Sequence, residues 1–408
     1  MIHLFTRIAS LTLAFGFFIS CSTLQSSDQD NQASRDLSEK EIQQQLDSLN
    51  AEIDSGKNVP NLYYQKGFLL TKIAQTQDEP AQRTGFYTEA YQALTQAADL
   101  YKNTPGINSE KAEELLNVTW SNEHNQGVQI LQSDTSKKNP DYTRAAAHFK
   151  NATIVIPDSA ISYKMGARAY YKNKQPQKAI DVLQNARQNI SNIPASFLEQ
   201  LAFLYLENDQ QQKAVEIYEQ AESFSDQNLN LLHGLANAYI NTGQHQKAVE
   251  LLEQLSTNEP ENVIYGQSLA MELYFTAAEK LETITSNLRQ GNQVGKNLLS
   301  EVDSLLLRAE DQFKRILDKK PKDQDLKLSF GTFYQNSASK YQKLLPFVEQ
   351  QQKNKLDKKV NQYIFSSIPL FEQLAEEKPD NQQIWHNLYQ AYSYLGMEEK
   401  AQKAKSNL

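Results

Sequence analysis

AIDVLQNA, residues 179–186, is one of four near-copies of a single phrase. The others are AAAHFKNA at 145–152, AVEIYEQA at 214–221 and AVELLEQL at 248–255. Their opening alanines, Ala145, Ala179, Ala214 and Ala248, stand 34, 35 and 34 residues apart. Four residues after each comes a large side chain (Phe149, Leu183, Tyr218, Leu252), and three later Ala152, Ala186, Ala221 or Leu255. Steps of four and three put these positions on one face of a helix, so one amphipathic helix is written four times. A second helix precedes three of the copies, led by Tyr163, Leu198 and Leu232, with Tyr170, Tyr205 and Tyr239 seven residues on. Turn-prone stretches NKQPQK, ENDQQQ and NTGQHQ separate the two.

A fixed period of this length implies stacked helical pairs, each burying its apolar face only on its neighbours. Composition agrees. Glycine is 14 and proline 12 of 408 residues, about 3% each against roughly 7% and 5% in average chains, which favours helix throughout. The apolar fraction of 39% is below the usual level of roughly 45–50%, and a solenoid needs less interior than one spherical core.

These units resemble tetratricopeptide repeats, helix-turn-helix units of 34 residues. The fullest likeness is IWHNLYQAYSYLGMEEKA, where Trp385, Leu388, Tyr392, Gly396 and Ala401 fill the family's places. Pro157, Pro260, Pro321 and Pro379 supply the proline that commonly ends a unit. The resemblance implies an all-α, right-handed superhelical solenoid, with two elongated repeats near the C-terminus.

Divergent units flank the regular ones. LYYQKGFLL with Gly67 pairs with a helix around Ala90, and another helix beginning near Ser109 runs through Trp120 and Gly127. Ser38 and Glu41, at capping-box spacing, open a helix with Ile42, Leu46, Leu49 and Ile53 on one face, a terminal cap for the stack. Downstream, Leu269 and Ala270 start a unit completed by Ala309 and Phe313, and Gly331 and Tyr334 start one completed by Phe371 and Leu374. The insertions keep helical spacing. The first is expected to be two lengthened helices around the polar tip RQGNQVGKN, the second a similar pair with a basic tip from Lys353 to Lys359. Pro369 is expected to cost its helix a hydrogen bond and to kink it.

The N-terminus reads as an export signal. Ile8 to Ile19 is an apolar or small-residue run behind Arg7. Twelve helical residues span about 18 Å, short of the roughly 30 Å hydrocarbon core. Phe18-Ile19-Ser20-Cys21 resembles the bacterial lipobox, which implies cleavage before Cys21 and lipidation of its thiol; Phe18 departs from the leucine usual there. Cys21 is the only cysteine, as suits an exported chain that avoids unwanted disulfides. By resemblance to lipoproteins of diderm bacteria, Ser22 implies the outer membrane. The chain thus divides into a signal peptide (1–20), a lipidated flexible tether (21–37), a capping helix (38–58), divergent units (59–158), regular units (159–262), units with helical insertions (263–380) and a C-terminal unit (381–408).

Chemistry is sparse. The six histidines, His3, His124, His148, His233, His245 and His386, show no metal-ligand spacing. GNQVGKN at 291–297 has too few residues between its glycines for a phosphate loop and reads as a turn. No nucleophile elbow or dinucleotide fingerprint appears, and neither an enzyme nor a cofactor is expected. Without the signal, 40 basic residues face 49 acidic ones, with the lysines spread out. Nucleic acid, which needs a concentrated basic surface, is not an expected partner.

Function must therefore reside in a surface. In tetratricopeptide repeats the first helices line a concave groove. Carried over, this implies a groove of Lys164, Arg168, Tyr171 and Lys172, then Glu199, Gln200, Phe203 and Glu207, then His233, Asn237 and Asn241, then Gln267, Met271 and Phe275. Polar groups interleaved with aromatics suit a protein or peptide partner. The chaperone-tail clamp of some relatives is not implied: Asn237 is present, but His233 stands where a lysine is needed. Two functions are compatible with these features. One is an outer-membrane lipoprotein scaffold facing the periplasm. The other is an outward-facing ligand-capture lipoprotein of the starch-binding type, although the large irregular binding region of that family is missing. Whether the acidic solenoid dimerises is left open.

Overall fold

The computed structural model describes residues 38–102, 110–133, 140–222 and 228–408. The expected signal peptide, Cys21 and the tether lie outside the described residues. Helices follow one another along the chain as α1 (Glu39–Asp54), α2 (Pro60–Thr76), α3 (Pro80–Lys102), α4 (Glu110–Gln132), α5 (Tyr142–Val155), α6 (Ala160–Lys172), α7 (Pro176–Ala186), α8 (Ala195–Glu207) and α9 (Gln211–Glu222). Then come α10 (Leu229–Asn241), α11 (His245–Asn258), α12 (Val263–Arg289), α13 (Lys296–Lys319), α14 (Gln324–Gln342), a 3-10 turn (Leu345–Phe347), α15 (Gln350–Glu377), α16 (Gln382–Tyr394) and α17 (Glu398–Lys405). No strand occurs among the described residues. The architecture is an all-α solenoid.

Side chains fix where helices begin. Ser38 caps α1, its hydroxyl accepting from the Glu41 N–H while the Glu41 carboxylate accepts from the Ser38 N–H, the expected capping box. Asn228, Asn262, Asp323 and Asn381 cap α10, α12, α14 and α16 in the same position of each unit. The turn inside each unit also repeats. The N–H groups of Gln175, Gln210, Gln244 and Met397 donate to the carbonyls of Tyr170, Tyr205, Tyr239 and Tyr392 at 2.8–3.0 Å. This is the Schellman closure, and the residue before each donor takes a left-handed conformation: Lys174, Asp209, Gly243 and Gly396, with φ between 54° and 69°.

Small residues let the paired helices touch. The repeated alanines Ala145, Ala179, Ala214 and Ala248 are completely buried, with Phe149 and Leu183 beside them. A Cβ on Gly331 would lie 2.8 Å from the Phe371 ring, and one on Gly234 would lie 2.5 Å from Tyr218. Each of these contacts joins the two helices of a unit or of neighbouring units where no methyl group fits.

A polar clasp links successive units. The Tyr239 hydroxyl donates to Glu219 at 2.8 Å, Tyr334 to Glu310 at 3.0 Å and Tyr392 to Glu372 at 2.6 Å. Lysines of the following helix lie over the same rings: Lys247 over Tyr239 and Lys400 over Tyr392, at 5.0 and 5.3 Å. Lys178 and Lys213 repeat this over Tyr170 and Tyr205. Each acceptor sits on the second helix of the preceding unit, so the tyrosine fastens that unit, while the lysine adds a cation–π contact within its own.

The two elongated units are built from α12 to α15, helices of 27, 24, 19 and 28 residues against 11–14 for α6 to α11. Their added turns have an apolar interior that includes Leu281, Ile284, Val302, Leu344, Leu356 and Val360. The first tip is polar, with Gly291 left-handed at φ 78°. The second differs from expectation. Lys353 to Lys359 lie inside α15, because Leu356 within that run and Val360 just after it are buried and hold it to the helix. The actual tip is the apolar 344–348, whose Phe347 ring lies 5.7 Å from the Arg289 guanidinium of the first hairpin. Pro369 also behaves differently from a breaker: α15 runs unbroken through it. The carbonyl that loses its donor belongs to the exposed Phe365, where water can replace the bond.

The core is not uniform along the stack. From Ala167 to Ala404 the buried apolar side chains form one connected cluster. Upstream there are four small ones, and polar side chains fill the space between them. Glu123 of α4, 1% exposed, accepts from Arg83 Nη1 at 2.8 Å, Tyr87 Oη at 2.9 Å and His148 Nδ1 at 2.7 Å. Asn151 Nδ2 lies 3.3 Å from it and donates to the Pro80 carbonyl at 2.7 Å. Burial pushes the Glu123 pKa up, but the hydrogen bonds from His148 and Arg83 outweigh it and hold the carboxyl below its ordinary value. Next to this group, Trp120 Nε1 donates to Ser162 Oγ at 2.9 Å, and the Trp120 ring stacks on His124 at 5.3 Å.

Candidate partner-binding face

All fourteen groove residues expected from the sequence are half-buried or exposed, and they lie on α6, α8, α10 and α12, the first helices of four successive units. Alternation of the stack produces this: the second helix and the next unit cover the apolar side of each first helix, leaving the opposite side open.

Several of them touch across units. Lys164 Nζ donates to Ser196 Oγ at 2.9 Å, and Gln200 Nε2 donates to the Lys164 carbonyl at 2.9 Å, tying α6 to α8. Two turns along, the Tyr171 hydroxyl donates to Glu207 at 2.7 Å and its ring meets the Phe203 ring edge-on at 5.6 Å. Asn228 Nδ2 lies 3.4 Å from the Glu199 carboxylate. Asn241 donates to Asn237 on the same helix at 3.1 Å. His233 reaches the next unit through Tyr265, ring centroids 5.6 Å apart. Phe275 stacks on His245 at 5.1 Å, and His245 Nδ1 lies 2.6 Å from the buried Glu272. Gln267 and Met271 complete the row on α12, Met271 resting on the core. Arg168 and Lys172 project from α6 as exposed side chains.

The electrostatics follow from partial burial. Desolvation lowers the Lys164 pKa and raises that of Glu199, each partly opposed by the charge of the other. Burial, then the bond to Glu207, pushes Tyr171 up to about 12, so it is a hydroxyl donor at neutral pH. Burial lowers His233, keeping it neutral. For His245 the hydrogen bond with Glu272 raises the pKa against desolvation.

Sequence reasoning missed His245 and Tyr265, which frame Phe275 and His233. Periodicity could have found the contacts across units, since Lys164–Ser196, Lys164–Gln200 and Tyr171–Glu207 are 32, 36 and 36 residues apart, one repeat give or take two. No group of three or more His, Cys, Asp or Glu able to hold a metal occurs among the described residues, and no described helix is long and apolar enough to cross a membrane.

Residues 205–271, running from the end of α8 into α12, match the family model for the tetratricopeptide repeat. That segment carries tetratricopeptide repeats, and helical pairs of the same kind recur along the all-α solenoid on either side of it. No curated protein matches it at a significant level. Among solved structures, the C-terminal part of a TPR repeat-containing protein from Cytophaga hutchinsonii is 13% identical, with a TM-score of 0.41 over 72% of this chain and 93% of that one. The MamA protein is 18% identical, with a TM-score of 0.36 over 50% of this chain and 94% of its own. YrrB, titled a TPR protein with an unusual peptide-binding site, is 12% identical, with a TM-score of 0.35 over 49% and 86%. In tetratricopeptide terms, the face from α6 to α12 is the row of first helices in the regular repeats and the first elongated one.

Proposed function

We propose that this chain is a non-enzymatic scaffold of the bacterial cell envelope, anchored to the outer membrane through lipidated Cys21, facing the periplasm, and holding a protein partner on the row of first helices from α6 to α12. The observation that carries the reading is that row: four adjacent units present solvent-open polar and aromatic side chains held in place by contacts between units. A preset face of this kind loses little side-chain freedom on binding. Support for the anchor comes from the sequence alone, from the apolar run before Cys21 and the polar stretch after it. Several acyl chains, at about 0.8 kcal/mol per buried methylene, would hold the protein where a single chain would not.

The test is photo-crosslinking from positions 203 and 275 in cells, followed by capture of the tagged protein from membranes, with Cys21→Ala as control. The scaffold reading expects one recurrent envelope protein crosslinked at both positions and weakened without the anchor. A transporter barrel recovered with glycan would turn the reading to ligand capture. A Cys21→Ala protein that stays membrane-bound after signal cleavage would remove the lipid anchor from it.

A further inference from the structure

The row of first helices changes chemistry from one end to the other. On α6, Lys164, Arg168 and Lys172 follow one another at intervals of four residues, which stacks them along one face. None of them belongs to an ion pair among the described residues, and the only acceptor at the Lys164 ammonium is Ser196 Oγ. An ammonium has three donors, so two are left over at a site that is already half desolvated. Glu199 offsets Lys164 in part, but Arg168 and Lys172 have no ion-pair partner among the described residues, so in a chain whose net charge is −8 this end of the row keeps positive charge that a ligand's carboxylates can meet.

At the other end, α12 presents Ile264, Met271 and Phe275. Ile264 is 45% exposed, an apolar side chain left in water at the edge of a well-packed helix. Phe275 is fixed by its stacking on His245. Next along the row, α8 places Glu199 within electrostatic reach of Lys164, and Glu207 accepts from Tyr171, the residue before Lys172. Those carboxylates keep the positive strip one helix wide, so a continuous polyanion such as nucleic acid is repelled while a short cluster of carboxylates is not.

The distances set the length of the ligand. Helices pack roughly 8–10 Å apart, so three steps from α6 to α12 cover about 27 Å, the reach of about eight residues of extended chain. We infer that the row binds one segment of the partner protein in which an Asp/Glu cluster stands about eight residues from large apolar side chains, the carboxylates over α6 and the apolar groups over α12. This rests on the reading of the row as the partner face and adds the partner's charge order to it.

The experiment is selection of displayed random 16-residue peptides on the detergent-solubilised full chain, on Arg168→Glu/Lys172→Glu and on Ile264→Asp. All three substituted positions are solvent-exposed, so the fold should persist, as circular dichroism would verify. The wild type should enrich peptides with an acidic cluster and an apolar cluster separated as above. The charge-reversed variant should bind those peptides at least tenfold more weakly, and Ile264→Asp should lose the apolar preference while keeping the acidic one. Enriched peptides without acidic residues, or acidic peptides that bind the charge-reversed variant equally well, would overturn the inferred charge order. If such peptides still lose binding in Ile264→Asp, the partner face survives with a different chemistry. If nothing is enriched above the bare support, both the charge order and the partner face fail.

Discussion

Arg83 Nη1 lies 2.8 Å from Glu123 Oε1 between α3 and α4, with the two side chains 10% and 1% exposed. Charges so far from water are costly unless matched, and here Tyr87 and His148 complete the shell around the carboxylate. Replacing Glu123 by Ala leaves the Arg83 guanidinium buried without its counter-charge, and such losses typically cost about 3–5 kcal/mol. Urea unfolding of Glu123→Ala should show a large drop in midpoint, with faster hydrogen exchange in α3 to α5. A change below about 1 kcal/mol, the level of an exposed pair, would contradict the buried assignment.

Gly331 is placed against the Phe371 ring, which is completely buried and has nowhere to retreat. A methyl group there overpacks the contact, so Gly331→Ala should destabilise by about 1–3 kcal/mol, even though alanine is the better helix former. A thermal melt equal to or above that of the wild type would show that α14 and α15 can separate without penalty.

The left-handed turn position takes glycine in two units and Lys174 or Asp209 in two others. A side chain in that conformation costs roughly 1–2 kcal/mol, offset in part by the entropy glycine loses on folding. Lys174→Gly should therefore stabilise the chain by about 0.5–1 kcal/mol, measured by denaturant midpoint, with Gly243→Lys as the opposite arm.

His245 couples α11 to α12 through Glu272, and that hydrogen bond raises its pKa above 6.5. The charged pair's contribution is fully present below the unfolded value of about 6.5 and is lost as pH rises through the raised folded value. Wild type should lose stability relative to His245→Gln as pH increases above 6.5. Parallel pH profiles of the two proteins would rule the linkage out.

Pro369 lacks the N–H that α15 needs at that point. Pro369→Ala should stabilise the chain, by at most about 3 kcal/mol, since the freed carbonyl belongs to the exposed Phe365 and water can take up part of the lost bond. Unchanged melting would mean that some other donor has taken the carbonyl.

What was legible in the sequence is what repeats. The buried alanines, the tyrosines seven residues after each lead and the helical content of both insertions all have a period, and each period reflects the same contact made again. The capping box at Ser38 and Glu41 was legible because its partners are three residues apart. The exposure of the groove positions followed from the same periodicity. The network at Glu123 has no such signature: its donors come from 40 residues upstream and 25 downstream, and His148 has no counterpart at the matching place of the other copies. The basic run of α15 misled for the opposite reason. Four lysines between 353 and 359 look like solvent-facing chain, while the two apolar residues that hold them to the helix are easily overlooked.

The single apolar cluster from Ala167 onward and the small, polar-linked clusters before it impose an order on how the molecule comes apart. Where every layer shares buried surface with the next, breaking one layer exposes the others, so the downstream part opens as a block. Upstream, the small clusters of α3, α4 and α5 are joined through the Glu123 network, so hydration or protonation of that carboxylate is expected to loosen this part before the downstream block. The chain is therefore expected to unravel from its beginning, with its last repeats outlasting a partial denaturation.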